Sequence, residues 1–118
     1  MIKKFEDLEI WKRSKQLTID IFLIMNKSKE YGFKDQITRA ALSIPSNIAE
    51  GYERGSAKEY IRYLNIARGS CGEVRTQLDI FTEIGIINKN KGEELIKETR
   101  EISAKISSLI MKRNQFQK

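Results

Sequence analysis

From Tyr60 to Phe81 apolar side chains recur at alternating steps of four and three, at Tyr60, Leu64, Ala67, Cys71, Val74, Leu78 and Phe81. Sustained over roughly three heptads, this spacing aligns all seven on one face of a helix and marks the seam of a bundle helix. The segment opens with Ser56-Ala57-Lys58-Glu59. That is a capping-box pattern, in which a serine and a glutamate three residues on satisfy each other's free amides.

Three other segments carry a helical period, separated by breaks at Lys29–Gly32, Arg54–Ser56 and Gly85–Asn90. The first runs from Asp7 to Ser28, with Leu8, Trp11, Thr18, Phe22 and Met25 on one seam and Ile10, Leu17, Ile21 and Ile24 on another. Two adjacent seams make a wider face than one core needs, so either the helix is deeply buried or the second stripe, Ile21 and Ile24, meets another subunit. The second segment, Phe33 to Glu53, has Ile37, Ala41, Ile44 and Ile48 inward and Pro45 in its interior. A proline there removes a backbone hydrogen bond and crowds the preceding turn, which predicts a kink; the alternative is a new helix beginning at Pro45. The last segment follows Gly85, with Asn88 or Asn90 as cap. Leu95, Ile102, Ile106 and Leu109 point inward, with Ile96, Thr99 and Ile110 beside them.

These segments predict an all-α chain, a single domain over residues 1–118, folded as an antiparallel up-down-up-down four-helix bundle with a kinked second helix. The second seam of the first helix adds the expectation of a homo-oligomer. Gly69 and Gly72 inside the third helix, together with the small residues Ala40, Ala41, Ser43, Ala49, Ala67, Ser70 and Cys71, predict a close approach of the second and third helices.

Composition narrows the chemistry. With no histidine, the usual general base and the usual zinc and haem ligands are missing. No glycine-rich phosphate loop follows a strand and no acidic cluster has ligand spacing, so no cofactor and no metal are expected, and no enzyme. Cys71, the single cysteine, lies on the seam and reads as a small buried hydrophobe rather than a reactive thiol. No run approaches the ~20 apolar residues that span a bilayer, and nothing marks an oxidising compartment, which predicts a cytoplasmic protein without a membrane partner.

Arg39, Ser43, Asn47, Glu50 and Arg54 recur at steps of three and four and form a stripe along the second helix. Arg68, Glu73 and Gln77 flank the seam of the third. Arg39, Asn47, Glu50, Arg68 and Glu73 are therefore expected to form a structural polar network, with Glu50 facing Arg68 and Arg39 facing Glu73, fixing register within the chain or between subunits. A catalytic reading lacks an activating base for Ser43 or Ser46. Asn47 is placed to bond backbone near the proline.

The net charge is +6. Residues 1–15 carry five basic side chains against three acidic ones, and residues 104–118 carry four and none, so these two segments hold the whole excess. In an up-down-up-down bundle both lie at the end shared with the second connection. Lys12, Arg13, Arg54, Lys58, Arg62, Lys105, Lys112 and Arg113 are thus the candidate nucleic-acid-binding residues, contacting phosphates without reading sequence. Aromatic side chains for stacking are sparse there, with Phe5, Trp11 and Phe116 as candidates.

The stretch QITRAALSIPSNIAEGYERG (Gln36 to Gly55), ARGS at Ala67 to Ser70, Glu73 and the opening FEDLEIWKRS (Phe5 to Ser14) resemble the 23S rRNA intervening-sequence proteins, a bacterial four-helix bundle family also described as ribosomal proteins. That family includes the accessory variability determinant of diversity-generating retroelements. The likeness runs from about Phe5 to Arg113. It implies a homopentamer arranged as a barrel with a central channel, basic surfaces suited to RNA or DNA, and no enzymatic activity. For retroelement members it implies a reverse transcriptase partner, though nothing in this chain marks a retroelement. The alternative is a structural adaptor that docks a protein such as a reverse transcriptase, its positive charge incidental.

Overall fold

A computed structural model describes residues 2–115. A short 3-10 turn, Phe5–Asp7, leads into α1 (Glu9–Met25), α2 (Tyr31–Glu53), α3 (Ala57–Glu83) and α4 (Lys89–Gln115). The four helices pack into a bundle 48 × 22 × 19 Å, its long dimension close to the length of the two 27-residue helices.

Local chemistry sets the ends. Ser56 Oγ accepts the Glu59 amide at 3.1 Å, one half of the expected capping box, while the Glu59 carboxylate turns instead to Arg62 at 2.7 Å. Asn88 Oδ1 accepts the amides of Asn90 (2.9 Å) and Lys91 (3.2 Å) and so caps α4. At the close of α3, Gly85 takes φ +85°, and the Ile86 amide reaches back to the Phe81 carbonyl at 2.9 Å while the Gly85 amide reaches Thr82 at 3.2 Å. This is a Schellman stop, which needs the left-handed residue that glycine supplies.

All seven seam residues of α3 are buried, and so are Ile37, Ala41, Ile44 and Ile48 of α2. α2 continues unbroken through the buried Pro45, which overturns the alternative of a new helix starting there. The carbonyl four residues back, Ala41, lies 3.1 Å from the Thr18 hydroxyl of α1.

α1 departs from expectation. Its buried series is Ile10, Ser14, Leu17, Ile21 and Met25, so Ile21 is core and not part of an outward stripe, and Ile24 is half-buried. Phe22, assigned inward, is 50% exposed, and Leu23 is 60% exposed. At 100° per residue a face centred on Leu17 and Ile21 leaves Phe22 and Leu23 on the far side. In α4 the buried positions are Gly92, Leu95, Thr99, Ile102, Ile106 and Ile110, while Leu109 and Ile96 flank them.

The glycines also differ. A Cβ at Gly69 or Gly72 would meet nothing within 4 Å, so neither serves a close approach within the chain. The close approaches fall at Gly51, where a Cβ would lie 2.6 Å from Tyr63 Cβ, and at Gly92, where it would collide with the side chain of Thr82.

Candidate nucleic-acid interface

The last turn of α2 and the first turns of α3 set three of the chain's four tyrosines, Tyr52, Tyr60 and Tyr63, among arginines. Arg54 and Arg62 lie over the Tyr63 ring with guanidinium carbons 5.1 and 4.5 Å from its centroid. Arg113, from the last turn of α4, stands 5.1 Å over Tyr60. Tyr52 meets Tyr60 edge to face at 5.9 Å. The expectation that aromatics are sparse at this end is therefore wrong. Tyr60 also belongs to the α3 seam, and the clustering of Tyr52, Tyr60 and Tyr63 around a short connection is the sequence signal that marks the group. Of the earlier stacking candidates, Phe5 and Trp11 pack on each other at 5.4 Å against the core, and Phe116 lies outside the described residues.

The eight candidate cations divide into two groups. Arg13 is bound by two carboxylates of α4, with Nε to Glu98 at 2.9 Å and Nη2 to Glu98 at 2.6 Å and Glu101 at 2.7 Å. The Glu98 hydrogen bond raises its already high pKa further. Lys105 pairs with Glu9 at 2.9 Å, holding that carboxylate below its usual range. Arg54 pairs with Glu50 at 3.2 Å, and Arg62 with Glu59 at 2.7 Å, which lowers the Glu59 pKa. These pairs neutralise charge that composition alone credits to the surface. Lys12, Lys58, Lys112 and Arg113 are exposed and form no ion pair among the described residues.

The expected polar network does not assemble as a buried cluster. Arg39, Glu50, Arg68 and Glu73 are all exposed. Glu50 turns to Arg54, and Arg68 turns to α4, donating to Ser107 Oγ at 3.1 Å and to Asn65 Oδ1 at 2.7 Å, so the Glu50–Arg68 pairing is overturned. Arg39 and Glu73 share a groove of about 400 Å³ between α2 and α3 but form no ion pair. The physical reason is desolvation: apolar side chains fill the interior, and charges half a turn away stay in water at lower cost. What joins the two helices is smaller, the Ser43 and Ser70 hydroxyls at 2.6 Å. Asn47 Nδ2 donates to the Ser43 carbonyl at 2.7 Å, the backbone bond beside the proline that was expected of it.

Residues 6–108 match the family described as 23S rRNA-intervening sequence protein. Among curated proteins nothing matches. Among solved structures, a protein of unknown function from the S23 ribosomal protein family of Bacteroides thetaiotaomicron superposes with a TM-score of 0.80 at 26% identity, over 86% of this chain and 97% of that one. With the family match extending from the 3-10 turn nearly to the end of α4, and the same fold in a relative of the S23 family, this chain belongs to the 23S rRNA-intervening sequence protein family.

Proposed function

We propose that this protein is a nonenzymatic, cytoplasmic, homo-oligomeric nucleic-acid-binding protein that holds RNA or DNA by its phosphates with little sequence readout. The observation that carries the reading is the set of exposed cations Lys58, Lys112 and Arg113, unpaired among the described residues, beside Arg54 and Arg62. The bundle runs up-down-up-down in this reading, supported by Glu9 with Lys105 and Tyr60 with Arg113, pairs that join the first turns of α1 and α3 to the C-terminal half of α4. The chain contains no helix long and apolar enough to cross a membrane among the described residues.

Assembly as a homopentamer follows the family resemblance. Exposed apolar side chains support self-association: Phe22 and Leu23 on α1, Leu42 on α2, Ile66 and Ile80 on α3. The same residues favour the second reading, an adaptor that docks a protein partner such as a reverse transcriptase. Arrayed around an axis, the basic ends would form a ring whose binding weakens steeply with salt.

The family description makes 23S ribosomal RNA the first probe, with duplex DNA of equal length beside it. Retention at low salt and release at high salt, together with its loss in Lys112→Glu/Arg113→Glu, is the expected result. Indifference to both nucleic acids moves the reading to the adaptor.

A further inference from the structure

Where α2 passes into α3, a cleft of about 490 Å³ is lined by Tyr52, Gly55, Ser56, Ala57, Tyr60 and Arg113. Clefts of about 300–1,000 Å³ hold small organic ligands. No carboxylate contributes to this lining. Its one cation, Arg113, is exposed and unpaired among the described residues. Ser56 and Ala57 are the N-cap and first residue of α3, so the positive end of a 27-residue helix lies against the cleft.

A second observation points to a ligand independently of the helix end. Tyr60 is 5% exposed, and its hydroxyl has no hydrogen-bond partner among the described residues. Burial pushes its pKa up, so the phenol keeps its proton as a donor. An orphaned buried donor costs about 1–3 kcal/mol, so a residue lining the cleft carries an unmet hydrogen bond. Tyr52, half-buried and edge-on to Tyr60, adds an aromatic wall to the same cleft.

We propose that this cleft binds one unpaired nucleotide of a single-stranded nucleic acid, the phosphate held by the Arg113 guanidinium and the N-terminus of α3, the base laid against Tyr52. The assignment rests on the nucleic-acid reading above and narrows it. In a duplex each base is stacked and presents no face to a tyrosine, whereas phosphate contacts to Lys58 and Lys112 serve duplex and single strand alike.

The test is fluorescence anisotropy at low salt with two labelled probes, an oligouridine and a blunt DNA duplex of the same length, on the full chain and on Tyr52→Leu and Arg113→Lys. Both substitutions keep the net charge, and Arg113 is exposed, so the second variant folds even if the first is weakened. Each is expected to lower oligouridine affinity about five- to tenfold; Tyr52→Leu, outside the basic set, leaves duplex affinity within about twofold, and Arg113→Lys lowers duplex affinity less than oligouridine affinity. Oligouridine affinity that is unchanged, or that falls in parallel with duplex affinity, overturns the nucleotide site and leaves the basic-end reading standing. Wild-type protein that binds neither probe overturns that reading and the site with it.

Discussion

The Thr18 hydroxyl of α1 lies 3.1 Å from the Ala41 carbonyl of α2, the carbonyl whose helical donor would have been the amide of residue 45. Pro45 has no N–H, and its ring crowds that same oxygen. The hydroxyl is also 2.8 Å from its own helix's Ser14 carbonyl, so one proton serves two acceptors. A proline inside a long helix is thereby made tolerable by a side chain from the neighbouring helix.

Thr18→Val keeps the shape and removes the donor, and is expected to cost about 1–3 kcal/mol by denaturant unfolding. In a Pro45→Ala background the Ala41 carbonyl regains a backbone donor, so the same substitution should cost clearly less. Equal losses in the two backgrounds would show that Thr18 does not act through the proline.

The glycines separate by what surrounds them. Gly92→Ala and Gly51→Ala place a methyl against Thr82 and Tyr63 and should lower thermal stability by about 1–3 kcal/mol. Gly69→Ala and Gly72→Ala enter open space inside a helix and should raise it by up to about 1 kcal/mol each. If Gly69→Ala instead reduces the mass measured by light scattering, the space above it belongs to a neighbouring subunit.

Charge on α1 should act differently at adjacent positions. Ile21→Glu buries an unpaired carboxylate in the core and should abolish cooperative unfolding, while Leu23→Glu, at a position 60% exposed, should fold normally. Circular dichroism separates the two, and a lower solution mass for Leu23→Glu alone would place α1 in the oligomer contact.

Cys71 is fully buried, and burial pushes its thiol up to about 11 from an ordinary 9. Because the folded pKa is the higher one, the thiol's contribution to stability is intact below pH 9. It should fall by up to roughly 1.4 kcal/mol per pH unit between 9 and 11, as the unfolded chain alone releases its proton. Alkaline unfolding curves for wild type and Cys71→Ala test this, since only the wild type should show that component. A thiol reagent should label Cys71 no faster than the bundle opens.

Much of the fold was legible because periodicity, capping and glycine chemistry are local. The spacing from Tyr60 to Phe81 identified every buried apolar position of the α3 seam, and Ser56, Asn88 and Gly85 marked helix ends through bonds made within a few residues. On α1 the apolar residues were numerous enough to permit two faces, so the pattern was degenerate. The choice of Leu17 and Ile21 over Phe22 waited on where α2 and α4 lay.

The candidate site was less legible. The basic excess was visible as two charged segments, but how many of their cations remain unpaired was not, because Arg13 meets Glu98 and Lys105 meets Glu9 across more than eighty residues of chain. Tyr52, Tyr60 and Arg113 likewise converge from three helices. The sequence by itself determined the helices, their stops and their family, since those depend on side chains a turn or two apart. Only the tertiary structure decided which charges cancel, which glycines touch, and that Thr18 would answer for Pro45, because Coulomb pairing and hydrogen bonding act over a few ångströms of space whatever the distance along the chain.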